Sequence, residues 1–113
     1  MSSILTSIKK LLGITAEYTD FDEDIIMHIN SVFMILKQLG VGPKEGFSIT
    51  GDTEEWTDFL PNGDVNLVKS YIYLKVRLMF DPPINASLVE SINKQIAEFE
   101  WRLNVEIEPY GGE

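Results

Sequence analysis

His28 is the one histidine of the chain, and Asp24 precedes it by a single helical turn, so the two side chains can meet on a helix surface. Such a pair can help hold a metal or move a proton. A zinc site needs three or four ligands, and the sequence offers neither a second histidine nor any cysteine to complete one. A hydrogen bond on the helix surface, or a histidine at the edge of the core, is the expected role. The run Asp20, Asp22, Glu23, Asp24 has the look of a calcium loop but lacks the glycine and the distal glutamate that an EF-hand places at fixed positions. Its acids suit the first turn of a helix, where the backbone dipole favours negative charge.

Carboxylate pairs for hydrolysis fare no better. Glu98 and Glu100 point to different sides of a helix, and neither Glu90 nor Asp81 stands at a spacing that singles out a partner. Gly111-Gly112 is followed by no lysine and no helix, so it is no phosphate loop. No serine sits in a nucleophile motif. The absence of cysteine removes disulfides, thiolate ligands and thiol catalysis together. The expectation is a non-enzyme without cofactor, catalytic residue or metal ligand.

The remaining conspicuous side chains are aromatic. Trp and Tyr concentrate at binding hot spots. Trp101 falls off the apolar stripe of its helix and Tyr73 off that of its own, so both are candidates for subunit contacts, whereas Tyr71 reads as core. Phe47, Ile49 and Trp56, in an irregular segment, and Ile107 and Tyr110, near the C-terminus, join them as interface candidates.

The elements that must position these residues are helical. Ile4, Leu5, Ile8, Leu11 and Leu12 give an apolar face to a helix over about Ser3 to Leu12, which Gly13 ends. A second helix runs from about Asp22 to Leu39 on Ile25, Ile29, Val32, Phe33, Leu36 and Leu39, with Asp20 and Glu23 at capping-box spacing and Gly40, Gly42 and Pro43 beyond its end. A third, from Asp64 to about Phe80, is apolar on more than one side and is therefore central to the fold or packed on a neighbour as well. A fourth starts at Asn85 or Ala86, reaches about Asn104, and carries the stripe Leu88, Ile92, Ile96, Phe99, Leu103. It is expected to pack on both preceding long helices and to bury Leu88, Ile92, Ile96 and Phe99.

Between residues 40 and 63 lies a long ordered loop. Phe47 to Thr50 alternates as a short extended piece would, and Asp52 or Thr53 is placed to cap a short helix through Trp56 and Phe59. Residues 105–113 read as an extended, acidic and flexible tail. The fold class is thus all-α: a single domain over 1–113, with four main helices and one short one in a body over about 3–104. No signal peptide or membrane-length apolar run is visible. The formal net charge of -9, with only nine scattered Lys and Arg, argues against a phosphate-binding surface; the acidity fits solubility, or else a surface that repels nucleic acid or meets a basic partner.

Three runs of residues, taken in order, resemble a known family. The first is Phe21-Asp22-Glu23-Asp24-Ile25-Ile26-Met27-His28-Ile29-Asn30-Ser31-Val32-Phe33, continuing to Gln38-Leu39-Gly40-Val41-Gly42-Pro43. Gly46-Phe47-Ser48-Ile49-Thr50-Gly51 follows, with Trp56. The last is Val68-Lys69-Ser70-Tyr71-Ile72-Tyr73-Leu74-Lys75-Val76-Arg77, then Phe80-Asp81-Pro82-Pro83 and Glu100-Trp101-Arg102-Leu103-Asn104. Together they look like the head–tail connector (head-completion adaptor) proteins of long-tailed phages and prophages of Gram-positive bacteria. The resemblance spans about Ile14 to Val105.

It implies a structural subunit of the virion neck, made in the host cytoplasm and assembled as a ring of roughly a dozen copies. The ring would bind the portal protein above and a stopper or tail-terminator protein below, with genome DNA passing through without specific binding and no membrane involved. The family has no catalytic residues to carry over. The alternative is a small acidic helical interaction module, such as a regulatory or antitoxin-like partner, without a ring role.

Overall fold

The computed structural model describes residues 3–61 and 65–111, with side chains of the last helix described to residue 104. Among these residues there are five helices: α1 (Ile4–Leu11), α2 (Asp22–Gln38), α3 (Trp56–Phe59), α4 (Val65–Phe80) and α5 (Ala86–Gly111). The all-α expectation holds, and Phe47 to Thr50 forms no strand. The only bridge of β type among the described residues joins Ser3 to Glu55.

α4 is the hub. Val68, Tyr71, Ile72, Leu74 and Val76 are buried, and they cover well over half of its circumference, which explains its two-sided apolar pattern. α1 and α2 pack on one side of α4 and α5 on the other. The start of α2 touches the end of α4, with Phe21 and Phe80 ring centroids 5.2 Å apart, so these helices are antiparallel. The turn Asp81 to Asn85 folds α5 back along α4, and Tyr71 meets Glu100 across the pair. α2 and α5 therefore run in the same direction on opposite flanks of α4. The result is a slab, 46 × 36 × 20 Å.

This arrangement corrects the expectation that α5 packs on α2 as well. α4 separates the two, because its apolar surface is wide enough to hold both. Ile92, Ile96 and Leu103 are buried as the stripe predicts, but Phe99 is only half-buried and Leu88 is 43% exposed. Leu88 lies in the first turn of α5, beside the Asp81-Pro82-Pro83 break where α4 has already ended.

The caps also differ in register. Phe21, not Asp20, is the N-cap of α2 and makes no side-chain bond, so the Asp20/Glu23 pair sits one residue out of place. Asn85 caps α5, its side-chain oxygen accepting from the N–H groups of Ser87 and Leu88. α3 starts later than Asp52 or Thr53 would set it, with Glu55 as its cap and the Asp58 carboxylate accepting from the Glu55 N–H at 2.8 Å. The expected α4 start at Asp64 lies outside the described residues.

The C-terminal segment is a second correction. α5 runs on to Gly111 where an extended tail is expected. The apolar spacing explains it: Ile107 and Tyr110 follow Leu103 at steps of four and three, continuing the helical period. The side chains of Ile107 and Tyr110 lie outside the described residues.

α2 ends in a Schellman turn. Gly40 takes φ +86, its N–H donates to Lys37 O, and the Val41 N–H donates to Leu36 O. Gly42 is fixed twice over. Its φ is +93, and a Cβ there would fall 2.4 Å from a ring carbon of Phe59.

Candidate assembly surfaces

Among the described residues, outer α5 carries the most exposed large aromatic side chain. Burial of Ile92, Ile96 and Leu103 against α4 turns the opposite side of α5 to solvent, and Trp101 stands there 65% exposed. Ala97, one turn earlier, is exposed, as is Lys94 two turns earlier. Arg102 is engaged with Glu98 at 2.8 Å. Tryptophan is enriched at interfaces, which makes this side chain the contact candidate of α5.

Tyr73 is half-buried on the outer side of α4, with the Arg77 guanidinium donating to its hydroxyl at 3.4 Å. Trp101 and Tyr73 thus remain accessible, as their places off the stripes require.

The loop residues behave differently. Phe47 is half-buried and stacks in a cluster with Phe33 and Phe59, centroids 5.1 and 5.3 Å away. Ile49 and Trp56 are buried. The Trp56 indole N–H donates to the Ser7 hydroxyl at 3.2 Å, and Asn30 of α2 grips both backbone groups of Ile49. In this fold Ile49 and Trp56 present no side-chain surface to a partner. They fasten the loop to α1 and α2, and what a neighbour can touch is the loop's exposed backbone and polar side chains.

Glu54 completes that fastening. Burial pushes its carboxyl up, but hydrogen bonds from the Thr50 N–H and hydroxyl, both 2.9 Å, outweigh this and hold it below the ordinary value. Its backbone carbonyl accepts from the Ile4 N–H at 2.9 Å. Residues 49–56 are thereby fastened to α1 and α2.

Two further features lie on α1 and α2. Lys9 is 2% exposed. Its ammonium donates to the carbonyls of Tyr18 at 2.7 Å and Ala16 at 3.2 Å, and it lies 2.8 Å from the Asp22 carboxylate. That last contact is an ion pair without hydrogen-bond alignment, since the same Asp22 oxygen has no hydrogen-bond partner. One lysine thus locks the end of α1, the connecting loop and the start of α2. The second feature is the outer face of α2, where Met27 is 57% and Met34 67% exposed. Beside Met34 lies an open cleft of about 300 Å³ walled by Phe33, Lys37, Gly46 and Phe47.

His28 packs edge-on near Phe80, ring centroids 6.5 Å apart, in an aromatic row with Phe21 and Tyr18. No hydrogen bond joins it to Asp24. No group of three or more His, Asp or Glu among the described residues is set to hold a metal. A second open cleft, about 460 Å³, is lined by Asp20, Asp22, Glu23 and Asp52 with Thr19 and Thr50.

The chain matches the phage connector protein family over residues 4–110. It belongs to that family. No curated protein and no solved structure shows significant similarity to it. The match covers all five helices nearly end to end, so the connector role attaches to the whole slab and not to a part of it. Among the described residues of this connector, no helix is long and apolar enough to cross a membrane.

Proposed function

We propose that the protein is a structural subunit of the phage neck, forming a ring between the portal of the DNA-filled head and the stopper or tail, and framing part of the DNA channel. The observation that carries this reading is the connector-family match across residues 4–110. The exposed Trp101 on a flank of the slab and the fastened loop support it: a ring subunit needs lateral contacts on two flanks and fixed ends for other proteins. The net charge of -9 supports passage of DNA without adhesion.

Trp101 and Tyr73 are the side chains assigned to contacts between copies or with portal and stopper, and the exposed part of the 46–59 loop joins them. The test is a phage lacking this gene. It should accumulate DNA-filled heads that neither retain their genome nor accept tails, and purified protein should restore tail joining. Trp101→Ala should leave the fold intact and weaken that restoration. Unfolding of Trp101→Ala would place Trp101 in the core and remove it from the contact surface.

A further inference from the structure

The two flanks of the slab carry matched features. On the α5 flank, Lys94 and Trp101 are both exposed and seven residues apart. On the α2 flank, Met27 and Met34 are both exposed and also seven residues apart, with Glu23 exposed one turn before Met27. Seven helical residues span about 10.5 Å, so the two pairs have the same spacing. Within one copy both helices pack chiefly on α4 and hardly on each other.

They can meet between copies. In a ring of many copies, neighbours differ by a small rotation. α5 of one copy and α2 of the next therefore keep nearly the parallel setting that they have within a copy.

We propose that the Trp101 flank of each copy packs on the Met27–Met34 flank of the next copy of this same chain, with Trp101 seated in the cleft beside Met34. This rests on the ring reading above and names the contact that would build the ring. The occupant is argued from spacing, shape and charge. The cleft is open and about 300 Å³, walled by Met34, Lys37, Phe47, Gly46, Glu45 and Ser48 over a buried Phe33. Met34 offers a sulfur contact and Lys37 a cation to the indole. With Trp101 level with Met34, Lys94 falls level with Met27. Its stem lies on Met27 and its ammonium reaches Glu23. Lys94 makes no ion pair with another described residue of its own copy. The contact is head-to-tail, which generates a ring where the rotation between copies closes.

The chain has no cysteine, so engineered thiols report without background. Ser31 is exposed between Met27 and Met34, and Ala97 is exposed one turn before Trp101. Replacing them leaves all four anchors in place. Ser31→Cys and Ala97→Cys proteins, mixed at millimolar concentration and oxidised, should form a disulfide-linked heterodimer, and neither alone should cross-link. In parallel, light scattering reads assembly of the unaltered chain. Trp101→Ala should weaken it roughly tenfold or more. Glu23→Lys should weaken it too, and adding Lys94→Glu should restore it. Assembly without the mixed cross-link, or with a cross-link from Ala97→Cys alone, overturns this pairing and leaves the ring reading standing. No assembly at millimolar concentration, with or without oxidation, overturns both.

Discussion

The Asn30 side chain stands in for a neighbouring strand to Ile49: its amide donates to the Ile49 carbonyl at 3.0 Å while its oxygen accepts from the Ile49 N–H at 2.8 Å. Ile49 is 2% exposed, so water does not readily replace either bond. Asn30→Ala leaves a buried donor and a buried acceptor unpaired, at about 1–3 kcal/mol each. Urea denaturation should show a loss of about 2–4 kcal/mol for the pair, and the 46–50 amides should lose hydrogen-exchange protection before the helices do. A loss under about 1 kcal/mol would mean that the loop is held by its aromatic contacts alone.

Lys9 is the buried cation on which three segments converge. Lys9→Met keeps the stem's volume but strands two carbonyls and the Asp22 carboxylate. The expected cost is about 3–5 kcal/mol, as for breaking a buried pair from one side. Adding Asp22→Asn should recover part of it. Equal stability of Lys9→Met and the unaltered protein in thermal melts would show that water substitutes at all three partners.

Two groups set opposite pH limits. Glu54 is held below its ordinary value of 4.5 in the folded state, so its contribution is present above that pH and is lost as pH falls through the depressed value. Thr50→Val removes the hydroxyl bond and should move the acid unfolding midpoint upward. Tyr71 is the reverse. Burial first, then its bond and proximity to Glu100, push its phenol above the ordinary value of 10. The neutral phenol is favoured by folding, so stability is intact below pH 10 and falls as pH rises beyond it. Tyr71→Phe should cost about 1 kcal/mol at neutral pH and flatten the alkaline fall. An unchanged alkaline limb would show that Tyr71 does not set it.

Ile96 is buried at the α4–α5 seam. Ile96→Ala should cost about 2–5 kcal/mol by lost transfer energy and a cavity. A cost below about 1 kcal/mol would place that stripe in solvent.

Most of the fold was legible because helices announce themselves by period and punctuation. The α2 stripe from Ile25 to Leu36, the stop at Gly40 and the two-sided burial of α4 all follow from spacing. What spacing could not show was which neighbour each face meets. Nothing in the stripe Leu88 to Leu103 distinguishes packing on α4 alone from packing on α2 as well. Composition misled at residues 105–111, where acids, a proline and glycines outweighed the apolar steps at Ile107 and Tyr110. Of the assigned surface residues, Trp101 was readable as an odd tryptophan off a stripe. Ile49 and Trp56 were read as surface because they lie in a loop, yet loops this long have cores of their own. Lys9 and Asn30 gave no signal, since a polar residue on a helix is solvated by default and its partners here are backbone atoms of distant segments.

DNA passage makes a negative demand. With nine dispersed cations against eighteen acids, the chain has few clustered charges with which to release counterions from a duplex. Filter binding at physiological salt should detect no micromolar complex with duplex DNA. Tight binding there would contradict a channel through which the genome slides.

The central claim is that this chain joins head to tail. Its most direct measurement is made on DNA-filled, tailless heads from a phage lacking this gene, mixed with the purified protein and then with tails. The expected result is a ring of the protein beneath the portal in electron micrographs, and infectious particles after tails are added. Heads that accept tails equally well without the protein, or that bind none of it, would contradict the account.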